Sequence, residues 1–441
     1  MSLKVAIVGS GISGLAAAHA LLGRAEVSLF EAGAYFGGHT HTVEVTLPTP
    51  QGPVTHGVDT GFLVLNERTY PNLLKLFAEL GVVTAKSDMS FSVQAFDQTH
   101  ERALEWSGCN LNTVFAQRSN LVNARFWGML RDLLRFNALT TRIAQSGTEA
   151  ELAQSLGDFL RAHCFGSAFC DWYFLPMMAC IWSCPTAQML QFPVATMVRF
   201  CHNHGLLQIS NRPQWWTVQG GAQQYVQKIT AAIQDKRLNS PVRRIESVSA
   251  TPTQAAGVRI STDAGQERFD KVIIATHANQ ALALLAAPNS LEQGTLGAIG
   301  TQSNRAVLHT DVSVLPWRQA AWAAWNYERA PATVKENARV CLHYLINRLQ
   351  PLPWQQPVLV SLNPARDIDP AKILGSFDYA HPVFDQTAVA AQGQMYLLQG
   401  QQSRYYCGAW MGYGFHEDGL KAGLAAAQKL LADATTSGTP A

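Results

Sequence analysis

The chain has 441 residues, 47% hydrophobic and 15% charged, with a formal net charge of +2. That length suits two or three domains with sizeable cores. Near-neutral charge without a single-sign run of five residues removes the electrostatic case for nucleic acid, and no uninterrupted apolar run reaches the ~20 residues of a membrane-spanning helix.

Lys4-Val5-Ala6-Ile7-Val8 reads as a short buried strand, followed directly by Gly9-Ser10-Gly11-Ile12-Ser13-Gly14. Leu15 to Leu22 then reads as a helix, and Glu26 to Phe30 as a second strand ending in Glu31 and Ala32. Strand, glycine turn, helix, strand and acid form the unit that binds an ADP moiety. Gly9 permits the turn, Gly11 lets backbone approach a pyrophosphate, Gly14 lets helix and strand pack closely, and Glu31 accepts from ribose hydroxyls. With a single Lys and glycines in nucleotide-binding register, this segment is not a secretion signal.

Gly37-Gly38-His39-Thr40 and then Val58-Asp59-Thr60-Gly61-Phe62 follow. A second glycine pair just past the ribose acid provides a close backbone pass along an extended dinucleotide, which a plain NAD domain does not need.

Thr113 to Ile143 has helical period, with Phe115, Leu121, Phe126, Trp127, Leu130, Leu133, Leu134 and Phe136 apolar. Its charges are Arg118, Arg125, Arg131, Arg135 and Arg142 against Asp132 alone. This pattern suits either a helix lying on an anionic membrane surface or a core helix with solvated arginines. Phe165 to His204 is dense in Trp, Phe, Met and Cys, which fill cores and also line pockets for long apolar ligands. Within it, Ala168 to Cys184 reads as a buried helix pair interrupted by Asp171 and Pro176. No Asp or Glu occurs between Asp171 and Asp235, which argues against a pocket for a cationic amine. The eight cysteines form no Cys-x-x-Cys and no zinc-spaced cluster, so neither a disulfide framework nor a metal is expected.

Further along come Thr217-Val218-Gln219-Gly220-Gly221, Pro241-Val242-Arg243-Arg244-Ile245 and Phe269 to Thr276. Near the end are Tyr406-Cys407-Gly408-Ala409-Trp410 and Gly412-Tyr413-Gly414-Phe415-His416-Glu417-Asp418-Gly419. The tail from Thr435 to Ala441 looks disordered.

These blocks, in this order, resemble the flavin amine-oxidase and phytoene-desaturase superfamily over nearly the whole chain. The resemblance implies an α/β architecture: a Rossmann-like FAD-binding domain of the amine-oxidase type with an inserted α+β substrate domain. The FAD-binding domain is assigned 1–85, 215–285 and 395–441, and the substrate domain 86–214 and 286–394. It also implies FAD contacts from Gly9 to Gly14, Glu31, Ala32, Gly37 to Thr40, Gly61, Phe62, Val242, Gly408, Ala409, Trp410, Gly414, Phe415, His416 and Glu417. The FAD is expected to be non-covalent, because relatives with a thioether place the cysteine elsewhere than Cys407.

Finer phrases, among them Tyr70-Pro71-Asn72-Leu73, Ile181-Trp182-Ser183, Phe200 to Gly205 and Tyr379 to Phe384, resemble the bacterial flavoproteins found beside cyclopropane-fatty-acid-synthase-like methyltransferases. That likeness implies desaturation of a methyl-branched or unsaturated acyl chain, carried in phospholipid, with a methyltransferase as partner. The expected location is the cytoplasm, with peripheral contact at the inner membrane face. His202, His204, Tyr379 and His381 are the candidate proton acceptors. Two alternatives remain: an amine oxidase or protoporphyrinogen-oxidase-like enzyme on the same fold, and a non-catalytic FAD-binding partner of a methyltransferase.

Overall fold

In this computed structural model, residues 2–97, 100–148, 152, 154–206, 212–252, 255–329 and 340–436 are described. Strand β1 (Lys4–Val8) sits at the centre of a five-stranded parallel sheet. Strand β2 (Glu26–Phe30) pairs on one side of it, with Asp235–Arg237 beyond; Lys271–Ile274 and then Arg404–Tyr406 pair on the other. Burial on both faces explains the continuous apolar run of β1. Val5 and Ile7 join a core with helix α1 (Ile12–Leu21) and the long C-terminal helix His416–Thr436. Ala6 and Val8 join a separate core with Val242, Ile245 and Ala278.

A seven-stranded sheet forms the second layer. Its order is Ile373–Pro382, Thr301–His309, Leu359–Leu362, Cys341–Leu345, Trp325–Arg329, Phe91–Asp97 and His100–Ser107. The sheet is antiparallel except where Trp325–Arg329 runs parallel to Phe91–Asp97. The helices Ala124–Ser146, Leu175–Trp182 and Val194–Asn203 share one large core with this sheet.

Two sequence expectations change. Thr113 to Ile143 is not one helix but three pieces: Leu111–Val114, the 3-10 turn Arg118–Val122, and Ala124–Ser146. Asn123 sets the second break, because its side chain caps Ala124–Ser146 by accepting from Arg125 and Phe126 N, while Asn110 starts the first piece by accepting from Thr113 N. Of the aromatic residues expected on a membrane face, Phe126 and Phe136 are core residues, whereas Trp127 lies outside. Ala168 to Cys184, expected as a helix pair, is a near-continuous helical run in which Cys170–Phe174 forms a π turn just before Pro176. The wider turn accommodates the N–H that proline lacks. The C-terminal helix runs to Thr436; the rest of the tail expected to be disordered lies outside the described residues. Among the described residues, no helix is long and apolar enough to cross a membrane.

Candidate active site

A cavity of about 1040 Å³ begins at the C-terminal edge of the parallel sheet, where Val8, Phe30, Ala275 and Gly408 line it, and continues among the helices of the second layer. Ligands of open α/β sheets bind at this edge. Helix α1 presents its N-terminus there, with Gly11 as an N-cap that supplies no side-chain hydrogen bond. The unpaired N–H groups of the first turn therefore face the cavity with the positive end of the helix dipole.

The glycines of this turn have separate causes. A Cβ on Gly11 would meet nothing within 4 Å, because that direction is open cavity. A Cβ on Gly14 would collide with the Gly9 carbonyl oxygen, so Gly14 serves the packing of helix on strand and does not line the cavity. Glu31 is fixed in place: its Oε2 accepts from Ser10 N (3.0 Å) and Ser10 Oγ (2.5 Å), and its Oε1 from Gly33 N (2.8 Å). Of roughly four lone-pair positions on a carboxylate, these use three and leave one for a ligand. Ile12, Ser13, Ala32 and Val242 complete this end. An open cradle at Gly11, an uncapped helix and a carboxylate with spare capacity fit the pyrophosphate and ribose of FAD.

The middle of the cavity is walled by Gly37, Gly38, His39, Gly61, Phe62, Ala409, Trp410 and Gly414 to His416. Phe62 and His416 stack, with centroids 3.8 Å apart and planes 10° from parallel. His416 Nε2 bonds to Tyr225 Oη at 2.8 Å, and burial drives its pKa down to about 3. His39 lies 5.2 Å from His381 and 6.1 Å from His277, ring to ring. Burial, reinforced by these histidines, holds His39 well below the usual range, while its backbone partner Ala380 opposes the shift. Its Nε2 is buried without a protein partner, an acceptor left for a ligand in the cavity.

Besides Gly14, two further residues expected to touch the cofactor do not line the cavity. Thr40 supports the wall instead, its Oγ1 bonding to Tyr225 Oη (2.5 Å) and His416 Nε2 (3.3 Å). Glu417 faces another helix: Oε1 accepts from Asn72 N (3.0 Å) and Nδ2 (2.6 Å), and Oε2 from Leu73 N (3.0 Å). It caps the helix Pro71–Leu80, whose own N-cap residue, Tyr70, supplies no side-chain bond. Asp59 is likewise a scaffold residue. It accepts from Ala222 N after the Gly220-Gly221 turn, from Gln350 Nε2 and from Thr42 Oγ1, and burial still pushes its carboxyl up to about 7.

The inner end is mostly apolar. Tyr173, Met177 and Ile181 form one helical stripe on it, joined by Met89 and Phe91. Trp325 and Tyr344 are direct cross-strand partners whose rings meet at 5.0 Å and 83°. The charged residues lining this end are Arg212 and Asp88, and Asp88 is engaged by Ser90 N and Oγ and by Arg348. No lysine lines the cavity among the described residues.

The four candidate bases separate by geometry. His202 does not line the cavity, and Tyr379 points its hydroxyl at Thr60 (2.6 Å) and His41 (2.9 Å) behind the wall. His381 lines the cavity, but its Nδ1 accepts from Asn304 Nδ2 at 2.8 Å, so the neutral ring presents Nε2–H, a donor. His204 is the reverse. Its Nδ1–H donates to the Phe200 carbonyl at 3.0 Å, which leaves Nε2 as an acceptor, and burial lowers its pKa to about 4. A neutral proton acceptor at the cavity is therefore His204.

Sequence reasoning missed His277, Met89, Arg212, Trp325 and Tyr344. None belongs to a motif, and the last two meet only through strand pairing. Among the described residues one triad, Glu328, Cys341 and His343, is close enough to hold a metal ion. Its groups are otherwise engaged: Arg366 pairs with Glu328 at 2.8 Å, and Ser361 Oγ lies 2.7 Å from His343 Nδ1. We read it as a buried polar network of the second sheet.

Residues 12–333 match the family model for flavin-containing amine oxidoreductases. No curated protein sequence matches the chain. Among solved structures, similar ones include a putrescine oxidase bound to putrescine, at 15% identity and TM-score 0.63, covering 98% of this chain and 99% of that one. Cyclohexylamine oxidase from Brevibacterium oxydans aligns at 15% identity and TM-score 0.62, covering 99% and 100%. A fatty acid isomerase from P. acnes that produces CLA aligns at 13% identity and TM-score 0.63, covering 97% and 98%. At these identities the likeness shows the fold alone.

Proposed function

The chain belongs to the family of flavin-containing amine oxidoreductases and is an FAD-dependent oxidoreductase, and from that premise we propose that it desaturates a methyl-branched or unsaturated fatty acyl chain carried in phospholipid. The observation that carries this reading is the inner end of the cavity. It offers a long apolar slot of Met, Trp, Tyr, Phe and Ile side chains, and its carboxylate, Asp88, is already held by Ser90 and Arg348. Such a slot suits a neutral chain and gives an ammonium group no available anion. The same fold also serves a fatty acid isomerase.

Held non-covalently by the Gly11 turn, the start of helix α1 and Glu31, FAD would supply the two-electron acceptor for removing two hydrogens from neighbouring carbons of the chain, one of them as a proton to a protein base, to leave a C=C bond. The protein's own part is to hold and dry the chain. Tyr173, Met177 and Ile181 fix its path, and Trp325 with Tyr344 limits its width. His204 Nε2 takes the proton, with Nδ1 anchored on Phe200 and the ring stacked on Phe200 at 3.9 Å. His381 and His39 contribute a donor and an acceptor toward the cofactor. Positioning in a water-poor slot must lower most of the barrier, because an alkyl C–H is not acidic unless a double bond adjoins it. A methyltransferase that supplies the branched chain is the proposed partner.

A second reading, oxidation of an amine, draws on the perpendicular aromatic pair Trp325 and Tyr344, since paired rings can flank an amine. One experiment separates the two. Holoprotein is incubated with methyl-branched monounsaturated phospholipid, and the acyl products are weighed by mass spectrometry. Products lighter by two hydrogens, with turnover reduced roughly 10²–10⁴-fold in His204→Gln at unchanged FAD content, support desaturation. No lipid turnover together with amine turnover would replace it, and neither activity would favour a non-catalytic FAD-binding partner.

A further inference from the structure

We infer that the surface around the cavity mouth docks onto an anionic lipid bilayer; this rests on the acyl-lipid reading of the same cavity. Three large apolar side chains stand almost free in solvent: Leu111 is 78% exposed, Val122 90% and Trp317 80%. Leu121 and Trp127 are about half exposed beside them, at 48% and 49%. They come from separate segments that the structure ties together. Trp127 Nε1 donates to the Leu121 carbonyl at 2.9 Å, and its ring meets Phe115 at 5.4 Å. The helix Leu111–Val114 packs against the turn Gln319–Ala321 that follows Trp317.

The projection is built from beneath. Buried Glu105 accepts from Trp317 N (2.8 Å), Arg318 N (3.3 Å) and Arg318 Nη1 (2.8 Å), so the backbone is held while the indole points away from the protein. A tryptophan presented this way has an apolar body to insert and no apolar neighbour shielding it from water.

Two further observations select the occupant. Gly108 and Cys109 line the cavity, and Asn110 then caps the helix that carries Leu111, so the patch and the cavity opening share one stretch of chain. The charge is one-sided. From Trp106 to Arg131 there is no Asp or Glu, while Arg118, Arg125 and Arg131 occur there. The carboxylates that flank this stretch in the sequence, Glu105 and Asp132, are both buried. Apolar tips ringed by arginine match acyl chains beneath anionic phosphates, and they would bring a lipid chain to the opening it must enter. Exposed Leu134 and Arg131, one turn apart on Ala124–Ser146, extend the same face.

The test is co-sedimentation of the full-length holoprotein with vesicles of phosphatidylcholine alone or mixed with phosphatidylglycerol, at low and high salt. Binding to the mixed vesicles, weakened by salt, is expected. Leu111→Ser with Val122→Ser and Trp317→Ser should reduce it about tenfold or more while flavin content and Tm stay unchanged. A milder pair, Arg118→Gln with Arg131→Gln, should weaken binding and flatten its salt dependence. Equal binding by the triple variant, or no binding by the native chain, overturns the inference. So does a dimer in ultracentrifugation that the triple variant dissociates, which would make the patch an interface between copies. Turnover of detergent-dispersed lipid, measured in parallel, reports on the acyl-lipid reading alone: docking without turnover defeats that reading, and turnover without docking defeats this one.

Discussion

Ser10 and Glu31 are joined twice on a single oxygen, since the Ser10 N–H and hydroxyl both donate to Glu31 Oε2, at 3.0 and 2.5 Å. The pair ties the glycine turn after β1 to the end of β2, so the phosphate and ribose ends of the cofactor site are fixed by one contact. Glu31→Ala removes both bonds and the bond from Gly33 N. Hydrogen bonds to a charged group contribute about 1.5–3 kcal/mol each way, so FAD affinity should fall by at least tenfold, measured by equilibrium binding to stripped protein. Unchanged affinity would remove Glu31 from the site.

Gly11 and Gly14 should fail differently. Gly11 has ordinary dihedrals and open space at Cβ, so Gly11→Val should fold with near-native Tm in the stripped form and retain no FAD. Gly14→Ala drives a methyl into the Gly9 carbonyl and should cost about 1–3 kcal/mol of stability before any cofactor is added. Parallel melting curves and flavin content separate the two.

Glu417→Ala should act on stability, not on the cofactor. It strips three donors at the start of Pro71–Leu80, two of them backbone N–H groups, a loss of about 1–3 kcal/mol. Urea unfolding should register it, and FAD per chain should stay at the native value.

Acid should destabilise the fold before its surface carboxylates titrate. His204 and His381 fall to about 4 and His416 to about 3, and His39 is also lowered, all chiefly by burial. The unfolded chain therefore binds more protons than the folded one between pH 6.5 and about 4, so this stability is complete above pH 6.5 and is lost as pH falls through that window. Asp59 and Asp418, raised to about 7 and about 6, work in the opposite direction but are outnumbered. Tm should decline from pH 7 to pH 4.5, and a flat or rising Tm would contradict these assignments.

The cofactor end was legible because its chemistry is local: a turn, a helix start and an acid lie within 31 residues. The errors have a geometric cause. Successive helix residues point about 100° apart, so His416 faces the cavity and Glu417 the neighbouring helix. By the same rotation His202 and His204 diverge at the end of Val194–Asn203. The inner wall was legible only in composition, because Trp325 and Tyr344 become neighbours through strand register, which a single sequence does not display.

The most direct test of the central claim is anaerobic reduction of the bound flavin. Methyl-branched monounsaturated phospholipid is added to the holoprotein without oxygen, and the visible flavin absorption is followed, with putrescine and cyclohexylamine as competing donors. Bleaching by the lipid, absent with both amines and slowed in His204→Gln, is the predicted result. Bleaching by an amine with no response to any acyl lipid would contradict it.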